Sequence, residues 1–178
     1  MASLPERMIG AMQGNAKTFQ EIEADPNALG QAVTVIVIAA VCAMIGNIFR
    51  AGITYGILSL VLSLIGYAFW AVMIVIIGTK LLPEPTTKAD FAEGFRVIGF
   101  TASPGVFNLL AIIPFLGPLI SFLIGIWMLI IAVIAVREVL DYANIGRAIL
   151  VCVIAFAVYC ILWLVIVVPL IMARAVLM

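Results

Sequence analysis

The sequence predicts an all-α fold: a polytopic transmembrane helical bundle of five spans, N-terminus inside and C-terminus outside (N-in/C-out), led by an amphipathic interfacial helix. Three observations predict it. Of the 178 residues 66% are apolar and only 10% charged. The ionisable residues stand between apolar runs of bilayer length, and the basic ones fall unevenly on alternate sides of those runs. With a mean hydropathy of +1.34 there is too little charged surface to coat a soluble globule, so a bilayer must act as solvent.

Residues 1–30 form the leader. Ser3 and Glu6 have the spacing of a capping box, and Leu4, Met8, Met12, Phe19 and Ile22 share one side of a helical wheel. Such a face is expected to lie on the cytoplasmic membrane surface, the alternative being a leader packed on the bundle. Gly10 and Gly14 weaken the helix and Asp25-Pro26 ends it, which predicts a kinked or two-part element. The segment lacks the charged start and apolar run of a signal peptide, and the AAVC run ending at Cys42 has bulky Val41 where a lipid-attachment box needs a small residue. The first span is therefore expected to serve as the anchor.

Residues 31–178 form the membrane domain. About 20 apolar residues cross roughly 30 Å of hydrocarbon as a helix. The first span covers about 31–49 and stops at Arg50; the second covers 53–78 and stops at Lys80 and Pro83. From Val97 to Val136 no Asp, Glu, Lys or Arg occurs, which is room for two helices. The run Ile113-Pro114-Phe115-Leu116-Gly117-Pro118 divides them, because each proline lacks an N–H and disfavours helix just before it. Spans three and four are thus 97–113 and 117–136; a re-entrant pair of half-helices over Pro104–Val136 is the alternative. The fifth span covers 148–173, with Pro169 near its far end.

Before the third span, Thr87 with Asp90 predicts a capped cytoplasmic helix. Phe91, Phe95 and Ile98 line one side of it, and Asp90, Glu93 and Arg96 the other. It slides into the span and kinks at Pro104. Sidedness follows from the basic residues. N-in topology puts Arg7, Lys17, Lys80, Lys88, Arg96, Arg137 and Arg147 in the cytoplasm and only Arg50 and Arg174 outside, as the positive-inside rule requires.

Composition also bounds function. Nine basic residues balance nine acidic ones and histidine is absent, so no basic patch invites nucleic acid and no imidazole can hold a haem or a metal. Cys42, Cys152 and Cys160 lie in apolar runs without a Cys-x-x-Cys pair and pack as small hydrophobes. No cofactor and no metal are expected. None of the spans carries a charge, which argues against a proton-coupled carrier or voltage sensor and leaves a passive pore open. Ser59, Ser63, Ser103 and Ser121 have no base to activate them, so the chain is not read as an enzyme.

What remains is packing and surface. Gly52, Gly56, Ser59, Ser63 and Gly66 form one stripe of small residues on the second span, a face for close helix approach. Ala39, Ala43 and Gly46 of the first span are a fitting partner; self-association or another subunit is the alternative. Asn47, Asn108, Tyr67 and Tyr159 need hydrogen-bond partners in hydrocarbon and are expected to bridge helices, with Asn108 a candidate ligand contact. Trp70, Trp127 and Trp163 pack or sit in lipid. In the last cytoplasmic loop Arg137 and Asp141 stand four apart, and Glu138 and Arg147 complete a charge-balanced patch. It is either a solvated cluster or a docking surface for a soluble partner.

With the spans laid out, TFQEIEADP at 18–26, VIGFTASP at 97–104 and GRAIL at 146–150 leading to Tyr159 give an ordered set of motifs. In that order the chain resembles the Yip family of Ypt-interacting five-span membrane proteins, in its shorter bacterial branch. The family's G-[YF]-x-x-x-P pattern falls on Gly99, Phe100 and Pro104. The resemblance implies a membrane-organising or recruiting role. Eukaryotic relatives bind prenylated small GTPases and carry a longer cytosolic N-terminal region than the leader here, so topology carries over rather than GTPase recruitment. The leading expectation is a non-catalytic scaffold or adaptor in a bacterial-type inner membrane, binding a membrane-protein partner or a second copy of itself. An accessory structural subunit of a larger complex, or a small passive transporter or lipid-handling protein, are the alternatives.

Overall fold

A computed structural model describes residues 2–85, 87, 89–113 and 115–167. Of these, 84% are helical and none lies in a strand, so backbone polar groups inside the bilayer close their hydrogen bonds within helices, as hydrocarbon demands. The elements are α1 (Leu4–Met12), α2 (Ala16–Ala24), α3 (Ala28–Ala51), α4 (Ile53–Ile76) with a π-turn Ile77–Leu81, α5 (Phe91–Phe100) with a 3-10 segment Ser103–Ile112, α6 (Gly117–Val139), and α7 (Ile145–Leu162) with a π-turn Trp163–Val167. Five segments are long and apolar enough to span: Ala28–Ala51, Ile53–Leu81, Phe91–Ile112, Gly117–Val139 and Ile145–Val165. Lys88, Pro114, Pro169, Arg174 and the last residues of the predicted fifth span, 168–173, lie outside the described residues.

The leader divides in two, as its glycines and Asp25-Pro26 predict, but its apolar face is not left on the membrane surface. Ala11, Phe19 and Ile22 are wholly buried against the bundle. Arg7 joins them on that face because acidic partners await it there. The turn between α1 and α2 dips along α6: the Trp127 indole donates to the Met12 carbonyl at 2.9 Å, about 18 Å along that helix from Val139. The packed leader, not the surface-lying one, is what forms.

The third span is not one kinked helix. α5 ends at Phe100, and Pro104 opens a 3-10 segment of 10 residues. A proline in a membrane helix frees carbonyls that must be met locally. Thr101 Oγ1 donates to the Ile98 carbonyl at 2.6 Å and Ser103 Oγ to the Phe100 carbonyl at 2.7 Å. The 3-10 rise of about 2.0 Å per residue, against about 1.5 Å in an α-helix, lets this short apolar stretch reach across the bilayer. α6 is one unbroken helix of 23 residues, long and apolar enough to span.

The N-terminal end of α5 also differs from expectation. Asp90, not Thr87, caps it: the Glu93 N–H donates to Asp90 Oδ1 at 2.7 Å and the Asp90 N–H to Glu93 Oε2 at 2.9 Å. Thr87 instead donates to the Leu140 carbonyl at 3.0 Å, tying the second loop to the fourth. Arg96, predicted on the solvent side, is buried, because α2 folds over that face and offers the Glu23 carbonyl at 2.6 Å.

α3 is the central helix. Its small face, Ala32, Ala39 and Gly46, receives the third span: a Cβ on Gly99 would stand 2.9 Å from Ala32 Cβ, one on Gly105 2.6 Å from Ala39 Cβ, and one on Gly46 2.7 Å from the Asn108 carbonyl. Small residues at such spacing let helices approach and gain dispersion where lipid gives little hydrophobic drive. Ala39 and Gly46 therefore serve the third span rather than the stripe on α4.

Candidate functional site

Two regions gather polar groups. One is a cap at the end of the bundle where the leader, the loop 82–90 and the loop 140–144 meet. Its foundation is Arg7, only 1% exposed, with Nη2 2.8 Å from Asp25 and 3.1 Å from Glu21, and Nη1 donating to Gln31 Oε1 at 2.9 Å. Burial works against the Arg7 charge, but the hydrogen bonds to Asp25 and Glu21 overcome it and hold its pKa above the ordinary value. In turn the guanidinium holds the Asp25 carboxyl below the usual carboxylate range.

Further links close the cap. Gln20 Nε2 donates to Glu138 Oε2 at 2.8 Å, Arg147 Nε lies 3.2 Å from Glu84 Oε1, and the Ala143 N–H donates to Glu84 Oε2 at 3.1 Å. The Tyr142 hydroxyl sits 2.8 Å from the Leu82 carbonyl and 3.1 Å from that of Gly78, sharing its proton between them. The π-turn at Ile77–Leu81 turns these carbonyls outward, so the tyrosine satisfies what the irregular helix end leaves open.

Between these links lies a polar cleft of about 670 Å³ lined by Gln20, Glu23, Pro85, Arg137, Glu138, Asp141 and Tyr142. Of the predicted patch, the structure brings Arg137, Glu138 and Asp141 to this cleft, while Arg147 turns away to Glu84. α6 ends at Val139, so Asp141 lies beyond the helix and not one turn along it from Arg137. The Asp141 N–H donates to the Glu138 carbonyl and the Tyr142 N–H to that of Arg137, with Asp141 at φ 51°. This is a Schellman-type helix end with aspartate where glycine is usual. Arg137 stands 3.8 Å from Glu138. Burial, with Asp141 and Glu93 nearby, pushes the Glu23 carboxyl up to about 7 despite Arg96. Sequence reasoning passed over Glu23, Glu84 and Gln20 and took Asp25 only as the end of a helix; of these, Gln20, Glu23 and Asp25 fall in the motif at 18–26.

The second region is a groove in the membrane part, between α4 and α7. A cavity of about 420 Å³ is lined by Ser63, Gly66, Tyr67 and Trp70 of α4, Phe122 and Ile126 of α6, and Phe156 and Tyr159 of α7, among others. A second cavity of about 200 Å³ adjoins it toward Asn47, Tyr55, Ser59 and Trp163. The small-residue stripe is divided between neighbours. Gly56 packs on Ile48 of α3, Gly66 lies under the Tyr159 hydroxyl, Gly52 makes the turn between α3 and α4 at φ 88°, and Ser59 and Ser63 face the groove. Of the four polar residues expected to bridge helices, Tyr67 alone does so among the described residues, reaching Met128 Sδ at 3.8 Å. Asn108 donates to the Gly105 carbonyl within its own turn, and Tyr159 accepts from Trp163 one turn along α7.

Of the resemblance motif, Gly99 makes the close approach to α3, Phe100 is wholly buried, and Pro104 starts the 3-10 segment. Among the described residues no group of three or more metal-ligating side chains occurs. No curated protein and no solved structure matches the chain. The Yip1 domain matches residues 9–167, which takes in the turn of the leader, the five candidate spans, the membrane groove and the polar cap apart from Arg7; the chain belongs to the Yip1 family and is an integral, multi-pass membrane protein.

Proposed function

We propose that this Yip1-domain protein is a non-catalytic scaffold whose polar cap docks a protein partner presenting cationic side chains. The observation that carries this reading is the cleft at Gln20, Glu23, Glu138 and Asp141, held open by hydrogen bonds from three separate parts of the chain. All nine acidic residues of the chain lie in the leader, in the loops 82–90 and 140–144, or in the ends of α5 and α6 that adjoin them, and burial together with Asp141 and Glu93 raises the Glu23 carboxyl, so a cation brought to the cleft would be favoured there. With the positive-inside rule, the cap is cytoplasmic, the topology N-in/C-out, and residues 1–30 a leader folded onto the five-span domain of residues 31–178.

Photo-crosslinkers at Pro85 and Arg137, which line the cleft, test it in intact membranes. A discrete adduct that disappears when Glu23, Glu138 and Asp141 are changed together to lysine, while the chain still inserts, is the expected result. No adduct from either position, or one indifferent to the charge change, overturns the reading.

A further inference from the structure

The groove between α4 and α7 carries an assignment independent of the cap. Ser63 and Tyr159 line both of its cavities, so the two form one passage running from the α3–α4 turn toward the middle of the bilayer. Its upper part is bordered by Asn47, Tyr55, Ser59 and Trp163; its lower part by Phe122, Ile126, Leu129 and Phe156. Both parts carry polar atoms, and the lower one adds a larger apolar wall around Ser63, Tyr67 and Tyr159. Ser63 lies 11 residues below Gly52 in the chain, about 16 Å into the membrane.

Where the hydrogen bonds of this passage go decides its occupant. Among the described residues Asn47, Tyr55 and Ser63 make no side-chain hydrogen bond, the Tyr159 hydroxyl accepts from Trp163 at 2.8 Å but has no acceptor for its own proton, and Tyr67 meets only a thioether. Five proton donors therefore face one passage without an oxygen acceptor, and Ser63, Tyr67 and Tyr159 do so well below the α3–α4 turn, where hydrocarbon offers no water. A neighbouring transmembrane helix is a poor answer, because its carbonyls are engaged in its own ladder. A phospholipid is a good one: its phosphate and ester oxygens only accept, and its chains are apolar.

We infer that this passage binds a single phospholipid from the leaflet opposite the cap, its ester carbonyls drawn down to Ser63 and Tyr159 and one acyl chain lying along Phe122, Ile126, Leu129 and Phe156. The cavity of about 420 Å³ falls within the roughly 300–1,000 Å³ usual for small-molecule sites.

Gly125 gives a clean test, since it lines the passage and a Cβ there meets nothing within 4 Å. Purified protein in mild detergent is titrated with phosphatidylglycerol or phosphatidylethanolamine brominated on the acyl chain. Trp70 and Trp163, which border the passage, report by fluorescence quenching. A saturable phase of one lipid per chain is expected. Gly125→Leu should abolish it by filling the tail site, and Ser63→Ala with Tyr159→Phe should weaken it, whereas Val153→Leu, on an exposed face of α7, should leave it intact. Quenching that rises linearly with lipid and is the same in Gly125→Leu would overturn the assignment. So would a disulfide between two chains carrying cysteine at Phe156 with no lipid retained, which would give the groove to a second copy.

Discussion

The guanidinium of Arg7 and the carboxylate of Asp25 meet at 2.8 Å with Arg7 1% exposed, and this contact pins the leader to the start of α3. Asp25 also accepts the Asn27 N–H at 3.0 Å, so it closes α2 while holding the arginine. Loss of Asp25 leaves Arg7 with the exposed Glu21 carboxylate and Gln31 as its remaining partners. Asp25→Ala is therefore expected to destabilise the leader's docking clearly more than Glu21→Ala, at a carboxylate 45% exposed. Unfolding in mixed micelles, with limited proteolysis of residues 13–28 as a local readout, measures both; equal effects would mean that Arg7 is not anchored by Asp25.

Glu23 sets the pH response near neutrality. Its carboxyl, ordinarily near 4.5, is pushed to about 7 by burial and by Asp141 and Glu93. The folded chain thus binds this proton more tightly than the unfolded one. The stabilisation is complete below about 4.5 and is lost as pH rises through 7. Glu6, Glu21 and Asp25 move the opposite way, their pKa values being lowered, so their contribution fails only below the carboxylate range. The melting temperature in detergent should fall from pH 5 to pH 8, the slope should vanish in Glu23→Gln, and Asp141→Asn should shift the midpoint downward. A flat profile in the wild-type chain would contradict the environment described for Glu23.

Orientation makes a third prediction. Cysteines placed at Asn15, Pro85 and Asn144, in a chain cleared of Cys42, Cys152 and Cys160, should be protected together from an impermeant maleimide in intact cells. One at Phe115, 99% exposed at the α6 turn, should label. Labelling of the first group with protection of Phe115→Cys would invert the topology.

The spans were legible in the sequence because the property that makes them, an uncharged run of bilayer length, is local. The two-part leader, the turn before α6 and the presence of a break near Pro104 were legible for the same reason: each depends on a few neighbouring residues. The cap was not. Arg7 and Asp25 are 18 positions apart and Gln20 and Glu138 118 apart, and nothing in a helical wheel says that a charged residue beside an apolar stripe will be buried by a partner elsewhere. Arg96 was placed in solvent for want of the helix that covers it. The stripe on α4 was visible as a pattern, but which neighbour each residue meets depends on how four helices share space. The 3-10 character of Ser103–Ile112 was hidden because Pro104 announces a break without fixing the geometry that follows.

The junction of the third span with α3 gives the sharpest packing prediction. A methyl on Gly105 would stand 2.6 Å from Ala39 Cβ, well inside van der Waals contact, and each Cβ is fixed by its own backbone with no torsion by which it could swing aside. Gly105→Ala should therefore force the two segments apart and cost about 1–3 kcal/mol. The same change at Gly30, where a Cβ meets nothing within 4 Å, should be neutral or stabilising by up to about 1 kcal/mol, because glycine is the poorer helix former. Transferring the methyl settles the cause: Ala39→Gly in the Gly105→Ala background restores the original sum of atoms at the contact, so a double-mutant cycle should return most of the loss. Failure of that rescue would show that Gly105 is needed for the 3-10 backbone itself and not for the approach of α3.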